Sequence, residues 1–260
     1  MKPRQARSFW TRIWGQRSMA EILLRATGIF AGYVRDLPIL RDVNINVKKA
    51  SLTLIIGPNG AGKSTFIKAV AGVVPVTSGA ITLAGQDITG IRPDQMALHG
   101  IAYVAQADNI FRALTIRQNL QLVLRKTRDA PARISGLFDR FPALGDKQGD
   151  KAGTLSGGQR QLLAVAMALA VQPKLILMDE PSAGLSPRAA QEVLQMTRDL
   201  TGQGVTILLV EQNVKQAMRL ADHCYILAEG RNQHDADAAK LLNDPIVGEI
   251  YLGGKRADVA

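Results

Sequence analysis

Nine consecutive residues, Gly57, Pro58, Asn59, Gly60, Ala61, Gly62, Lys63, Ser64 and Thr65, combine three glycines, a lysine and two hydroxyls. They match the pattern G-x-x-x-x-G-K-[ST], with Gly57 opening it and Gly62, Lys63 and Ser64 closing it. The chemistry of such a loop is phosphate binding. Glycines let the backbone turn until several N–H groups point at one anion, and a helix starting there adds favourable dipole potential. Lys63 can reach the β- and γ-phosphates of a nucleotide, and the Ser64 hydroxyl can take a place on Mg2+. A glycine-rich turn with an exposed lysine is the plainer alternative, and it would not need the strand and helix that flank these residues.

A second group lies in "KLILMDEP" at 174–181, an apolar run ending in Asp179 and Glu180. The pair divides labour: Asp179 can hold Mg2+, directly or through water, and Glu180 can orient or deprotonate the water that attacks a γ-phosphate. A third group is "LSGGQRQ" at 155–161. Ser156, Gly157, Gly158 and Gln159 make another bare helix start suited to phosphate, although a glycine-bearing cap before an ordinary amphipathic helix has the same look. One phosphate site does not need two such helix ends.

The elements that must position these groups can be read from apolar patterning. "LTLII" before the glycine loop is short, β-rich and apolar on both faces, as a strand buried in a parallel sheet would be, and "TFIKAVAGVV" after it reads as a helix. From Leu155 onward a helix, the strand "LILM", the helix "PRAAQEVLQMTRDL" and the strand "VTILLV" alternate. Such alternation predicts an α/β fold with a parallel, doubly wound sheet whose ligands sit beyond the C-terminal strand ends. Asp179 and Glu180 should then face the same crevice as the glycine loop. Between Glu21 and about Gly100 the β runs "EILLRAT", "VNINV" and "AITLAG" predict an antiparallel β subdomain. Residues 106–154 predict a helical subdomain inserted in the core, with its helical patterns broken by Pro131 and Pro142.

Taken together the motifs resemble the ATP-binding-cassette (ABC) ATPases, for which the "LSGGQ" string is the defining signature, and the resemblance runs from about Glu21 to the end of the chain. It implies a single ABC ATPase domain over 21–260, with ATP and Mg2+ as ligands. It also implies a head-to-tail pair with a homologous ABC ATPase, in which Ser156–Gln159 of one subunit cover ATP held on the phosphate loop of the other. Carried over residue by residue, Tyr33 in "GYV" falls where the family stacks an aromatic on adenine, and Gln106 in "AYVAQ" matches the glutamine that touches Mg2+ and the attacking water. Glu180 is then the water-activating carboxylate. Two positions depart from the common pattern. Ser186 replaces an aspartate found in many relatives, and Gln212 in "VEQN" replaces a histidine that contacts the γ-phosphate. Gln212 either takes over that contact or merely caps the next helix together with Asn213. With "SAGLSP" and the tail "DPIVGEIYLGG", this glutamine is similar to the second ATPase subunit of branched-chain amino acid importers and to urea or amide importer relatives. The subgroup implies membrane permease subunits as partners, with Gln106–Phe111 in the docking groove, and a periplasmic solute-binding protein as an indirect one. It places the chain on the cytoplasmic face of the inner membrane.

Composition is compatible with this. The chain has 260 residues, 47% hydrophobic and 21% charged, as ordinary globular proteins do. The longest apolar runs, such as "LLAVAMALAV" at 162–171, fall short of the roughly 20 residues a bilayer span needs. A single cysteine, Cys224, leaves no internal disulfide to form and fits a reducing compartment. Net charge is +10, and Lys2, Arg4, Arg7, Arg12 and Arg17 supply half of it in a leader that has no apolar segment and so is no secretory signal. Residues 1–20 read as a disordered basic tail or a lipid-touching surface, unless Met19 is the natural start. The basic charge is the one encouragement for a non-transport ABC ATPase on ribosomes or nucleic acid. The single cassette speaks against it, and no nucleic-acid partner is expected.

Overall fold

The computed structural model describes residues 21–34, 36–107, 109–242, 244 and 247, so the basic leader and most of the "DPIVGEIYLGG" tail lie outside the described residues. In chain order the strands are β1 (Ile22–Ala31), β2 (Leu40–Lys48), β3 (Leu52–Ile56), β4 (Val76–Leu83), β5 (Gln86–Asp87), β6 (Ile101–Val104), β7 (Leu175–Asp179), β8 (Thr206–Val210), β9 (His223–Ala228) and β10 (Arg231–Asp237). The α-helices are α1 (Lys63–Val70), α2 (Ile116–Val123), α3 (Ala130–Arg140), α4 (Pro142–Gly145), α5 (Gly157–Ala170), α6 (Pro187–Gly202), α7 (Val214–Leu220) and α8 (Ala238–Leu242).

Two sheets result. One runs in the order β2-β1-β4-β5 and is antiparallel throughout. The other runs β10-β9-β3-β8-β7-β6, parallel except for the edge strand β10. The parallel strands are buried on both faces because their side chains alternate between two separate cores. Leu54, Ile56, Ile176, Met178, Ile207 and Leu209 enter the core shared with α2, α3 and α5. Ile55, Leu175, Leu177, Leu208 and Val210 enter the core shared with α1 and the antiparallel sheet. Each fully buried Leu or Ile stabilises by about 1.5–3 kcal/mol, so a one-residue register slip would exchange the two cores at every position.

The helical segment depends on the same core. Ile116, Leu120, Ile134, Leu137 and Leu144 join Leu163, Val165 and Leu169 of α5 in one cluster. Helix α2 starts at a capping box: the Thr115 hydroxyl accepts from the Gln118 N–H at 3.1 Å, and the Gln118 side chain accepts from the Thr115 N–H at 2.9 Å. The prolines of this segment start helices instead of breaking them. Pro131 lies in the first turn of α3 and Pro142 opens α4, positions where the missing N–H costs nothing.

Candidate nucleotide site

β3 ends at Ile56, and the chain turns at once into the glycine loop. Gly57 is required by crowding, since a Cβ there would lie 2.0 Å from the Leu227 carbonyl oxygen. Gly62 has φ +95°, and a Cβ on it would lie 2.7 Å from Leu40 Cδ2. As N-cap of α1, Gly62 offers no side-chain acceptor, which leaves the first-turn N–H groups of that helix for an anion. A Cβ on Gly60 would meet nothing within 4 Å, so the rim of the loop is open, and Pro58, Asn59 and Gly60 are all exposed. Ala61 and Thr65 are buried and anchor the loop, with the Gly230 N–H donating to the Ala61 carbonyl at 3.1 Å.

Inside this loop the Lys63 ammonium donates to the Gly57 and Pro58 carbonyls at 2.9 and 3.0 Å. Burial pushes its pKa down, while the nearby carboxylates of Glu180 and Asp179 push it back up. The Ser64 hydroxyl donates to Asp179 Oδ1 at 2.7 Å. A hydroxyl and a carboxylate held together at the foot of a phosphate loop form the hard oxygen donor set that suits Mg2+.

Glu180 follows directly, at the end of β7. Its φ is +50°, a conformation that non-glycine residues rarely adopt, and its N–H is held by the Val210 carbonyl at 2.9 Å. Two amides from two other loops converge on its carboxylate. Gln106, beyond β6, donates to Oε2 at 2.9 Å. Gln212, beyond β8, donates to Oε1 at 3.0 Å and to Oε2 at 2.8 Å. Of the two readings of Gln212, the hydrogen bonds therefore support the one that faces the site. Asn213 is the N-cap of α7 and makes no side-chain cap bond there. Thus Lys63, Ser64, Gln106, Asp179, Glu180 and Gln212 come together at the C-terminal edge of the parallel sheet, where an open α/β sheet places its ligand.

Other expected residues are elsewhere. Tyr33 is 59% exposed in the turn between β1 and β2, with Val34 and Leu37 also exposed beside it. This turn flanks the glycine loop through Leu40, which touches the Gly62 position. Ser156 and Gln159 form a second capping box: the Ser156 hydroxyl accepts from the Gln159 N–H at 3.3 Å, and the Gln159 side chain accepts from the Ser156 N–H at 3.1 Å. Gly157 and Gly158 fit closely against the start of α6, where added Cβ atoms would lie 2.9 Å from Leu185 Cδ2 and 3.3 Å from Ala189 Cβ. Among the described residues no hydrogen bond joins this cap to residues 57–65. Ser186 caps α6, its hydroxyl accepting from the Ala189 N–H at 3.4 Å. Ile110 is a correction to the expected docking groove: it is only 9% exposed and belongs to the helical-side core, whereas Phe111 is 53% exposed.

Two residues escaped sequence reasoning. The Tyr103 hydroxyl donates to Asp179 Oδ2 at 3.4 Å, on the oxygen that Ser64 leaves free, and burial together with the Asp179 charge pushes its pKa up. Glu211 is buried and accepts from the loop after Glu180. A charged residue directly after an apolar strand was the available signal for it. The odd-numbered residues Ile207 and Leu209 face the helical-side core, and position 211 continues that alternation.

Comparison with known proteins agrees with this geometry. Residues 40–183 match the family model described as ABC transporter. The probable branched-chain amino acid transport ATP-binding protein LivF of Archaeoglobus fulgidus is 40% identical over 89% of this chain and 99% of its own length. The high-affinity branched-chain amino acid transport ATP-binding protein BraG of Pseudomonas aeruginosa is 39% identical over 85% of this chain and 96% of its own. Among solved structures, the ADP conformation of an ATP-binding cassette of an ABC transporter superposes with a TM-score of 0.79, at 30% identity, covering 90% of this chain and all of that one. With the phosphate loop, the paired carboxylates and the parallel sheet in their places, this chain belongs to the ABC transporter family, as an ATP-binding and ATP-hydrolysing subunit.

Proposed function

We propose that the chain powers the import of branched-chain amino acids, docked on the cytoplasmic face of the inner membrane against separate permease subunits. A periplasmic solute-binding protein would deliver the solute. The names of the LivF and BraG relatives support this choice of solute, and among the described residues no helix is long and apolar enough to cross a membrane. Residues 21–260 act as one ATPase domain, with 106–154 as the helical part that meets the permease. Tyr33 stacks on adenine, and residues 57–65 hold the phosphates.

Glu180 is the general base of this reading. It takes a proton from water while the water oxygen bonds to the γ-phosphorus and the bond to the bridging oxygen of ADP breaks. Gln106 and Gln212 hold its carboxylate aimed, since both donate hydrogen bonds to it. Ser64, Asp179 and Gln106 would hold Mg2+, which supplies neutralising charge to the phosphate oxygens. Ser156–Gln159 close over ATP on a second ATPase subunit.

The observation that carries the reading is the single carboxylate that gathers two amides next to the Ser64–Asp179 pair. Replacing Glu180 by Gln should leave ATP binding intact and lower hydrolysis by at least about a hundredfold, as for a lost general base. A variant that turns over within a few-fold of the parent would place water activation elsewhere.

A further inference from the structure

Glu211 is 1% exposed and, among the described residues, has no cation as a hydrogen-bond partner, an expensive place for a carboxylate. What it has instead is donors from two loops. Oε1 accepts from the Ser182 N–H at 3.0 Å, and Oε2 accepts from the Ser182 hydroxyl at 2.7 Å. The same Oε2 accepts from the Gln212 N–H at 3.2 Å and, at the limit of hydrogen-bond length, from the Asn213 N–H at 3.5 Å. Ser182 lies two residues beyond Glu180, and Gln212 is the next residue along the chain. Burial pushes the Glu211 carboxyl up in pKa, and the donated bonds oppose that.

We propose that Glu211 is a positioning residue: its carboxylate staples the loop after β7 to the loop after β8 and thereby sets Glu180 and Gln212 in register with each other. The inference rests on the roles proposed above for those two residues. Glu180 needs such a restraint because its backbone is in the left-handed region and the backbone ties of its loop are few: Glu180 N–H to the Val210 carbonyl, Ala183 N–H to the Glu180 carbonyl at 3.0 Å, and Leu185 N–H to the Ser182 carbonyl at 3.3 Å. Only a carboxylate satisfies this set of donors. A glutamine would offer one acceptor oxygen and turn an NH2 group toward N–H donors, so at least one loop would come loose. Glu211 touches neither the phosphate loop nor Lys63 in any hydrogen bond among the described residues. Its effect should therefore fall on kcat and spare KM for ATP.

The test is a cycle built from Glu211→Gln, Gln212→Ala and the double variant, each measured for kcat, KM for ATP, melting temperature and moles of a fluorescent ATP analogue bound per mole of protein. Glu211→Gln should bind nucleotide at full stoichiometry with KM within about twofold, and lose about ten- to a hundredfold in kcat, the scale of a charge-assisted hydrogen bond. The double variant should be no slower than the slower single variant, because both changes remove the same alignment. If Glu211→Gln does not fold, Ser182→Ala carries the same cycle with an expected loss of a few-fold. A Glu211 that is merely structural would lower the melting temperature while turnover per nucleotide-binding site stayed parental, and that result, or losses that multiply in the double variant, would overturn the staple alone. A parental rate for Gln212→Ala would overturn the underlying reading of the site and the staple with it.

Discussion

At the scale of single residues, the chemistry was written in side-chain types. A lysine, a serine and two carboxylates at those spacings admit few other uses, and all of them meet at the sheet edge. Glu211 left a signal in its place directly after an apolar strand, but the roles of Tyr103 and Glu211 are contacts to other site residues, and such contacts depend on strand register, which motif spacing does not encode. Gln212 lies between these cases: its position past β8 was readable, but the choice between capping α7 and turning toward the γ-phosphate needed the side-chain direction, which runs to Glu180. Unlike the imidazole of a histidine, its amide cannot titrate. Gln212→Ala should lose roughly ten- to a hundredfold in ATPase rate, the cost of a hydrogen bond to a charged group. Gln212→His should stay active and gain an acidic limb absent from the parent, since histidine changes charge near pH 6.5. Any limb the parent already shows belongs to other groups, so the difference between the two profiles from about pH 5.5 to 8.5 is the readout. Superimposable profiles would mean that position 212 does not act on the reacting centre.

At the scale of elements, strands were easier to read than the loops between them. Burial on both faces turns β3, β7 and β8 into nearly continuous apolar runs, whose pattern differs from that of a surface helix. The segment from Gln106 to Phe111 has no such pattern, and reading it as one docking surface merged two different environments. Ile110 points into the helical-side core, and Phe111 stays outside because the fully buried Asn119 holds its backbone: the Phe111 N–H donates to Asn119 Oδ1 at 2.8 Å, and Asn119 Nδ2 donates back to the Phe111 carbonyl at 3.0 Å. The two positions should respond differently to the same change. Ile110→Asp buries an unpaired charge and should cost at least about 3 kcal/mol in unfolding free energy. Phe111→Asp should cost less than about 1 kcal/mol and leave the ATPase of the isolated subunit intact, yet impair solute uptake in the assembled transporter. Chemical denaturation separates the first pair of outcomes and vesicle uptake the second. Normal uptake with Phe111→Asp would remove this loop from the permease contact.

At the scale of the whole molecule, the residues by themselves showed that one chain carries two anion-suited helix starts, and the family resemblance implied a pair that uses both. The structure gives that redundancy a physical form. The phosphate loop sits at the start of α1 and gathers Asp179 and Glu180, while the Ser156 cap at the start of α5 packs on Leu185 and Ala189. On the function proposed above, each chain would offer one half of a site in each of two places, and a two-fold pairing would complete both at once. This makes a complementation test possible. Glu180→Gln, which slows hydrolysis, should be monomeric without nucleotide and dimeric with ATP by sedimentation. Adding Lys63→Ala removes the phosphate-binding half, and adding Ser156→Arg instead blocks the covering half, so neither double variant should dimerise alone. Mixed, they form one composite site that is wholly intact, from the phosphate loop of the Ser156→Arg chain and the Ser156 cap of the Lys63→Ala chain. ATP should therefore restore dimers in the mixture only. A mixture that stays monomeric while the Glu180→Gln parent dimerises would show that Ser156–Gln159 and residues 57–65 do not meet across the pair.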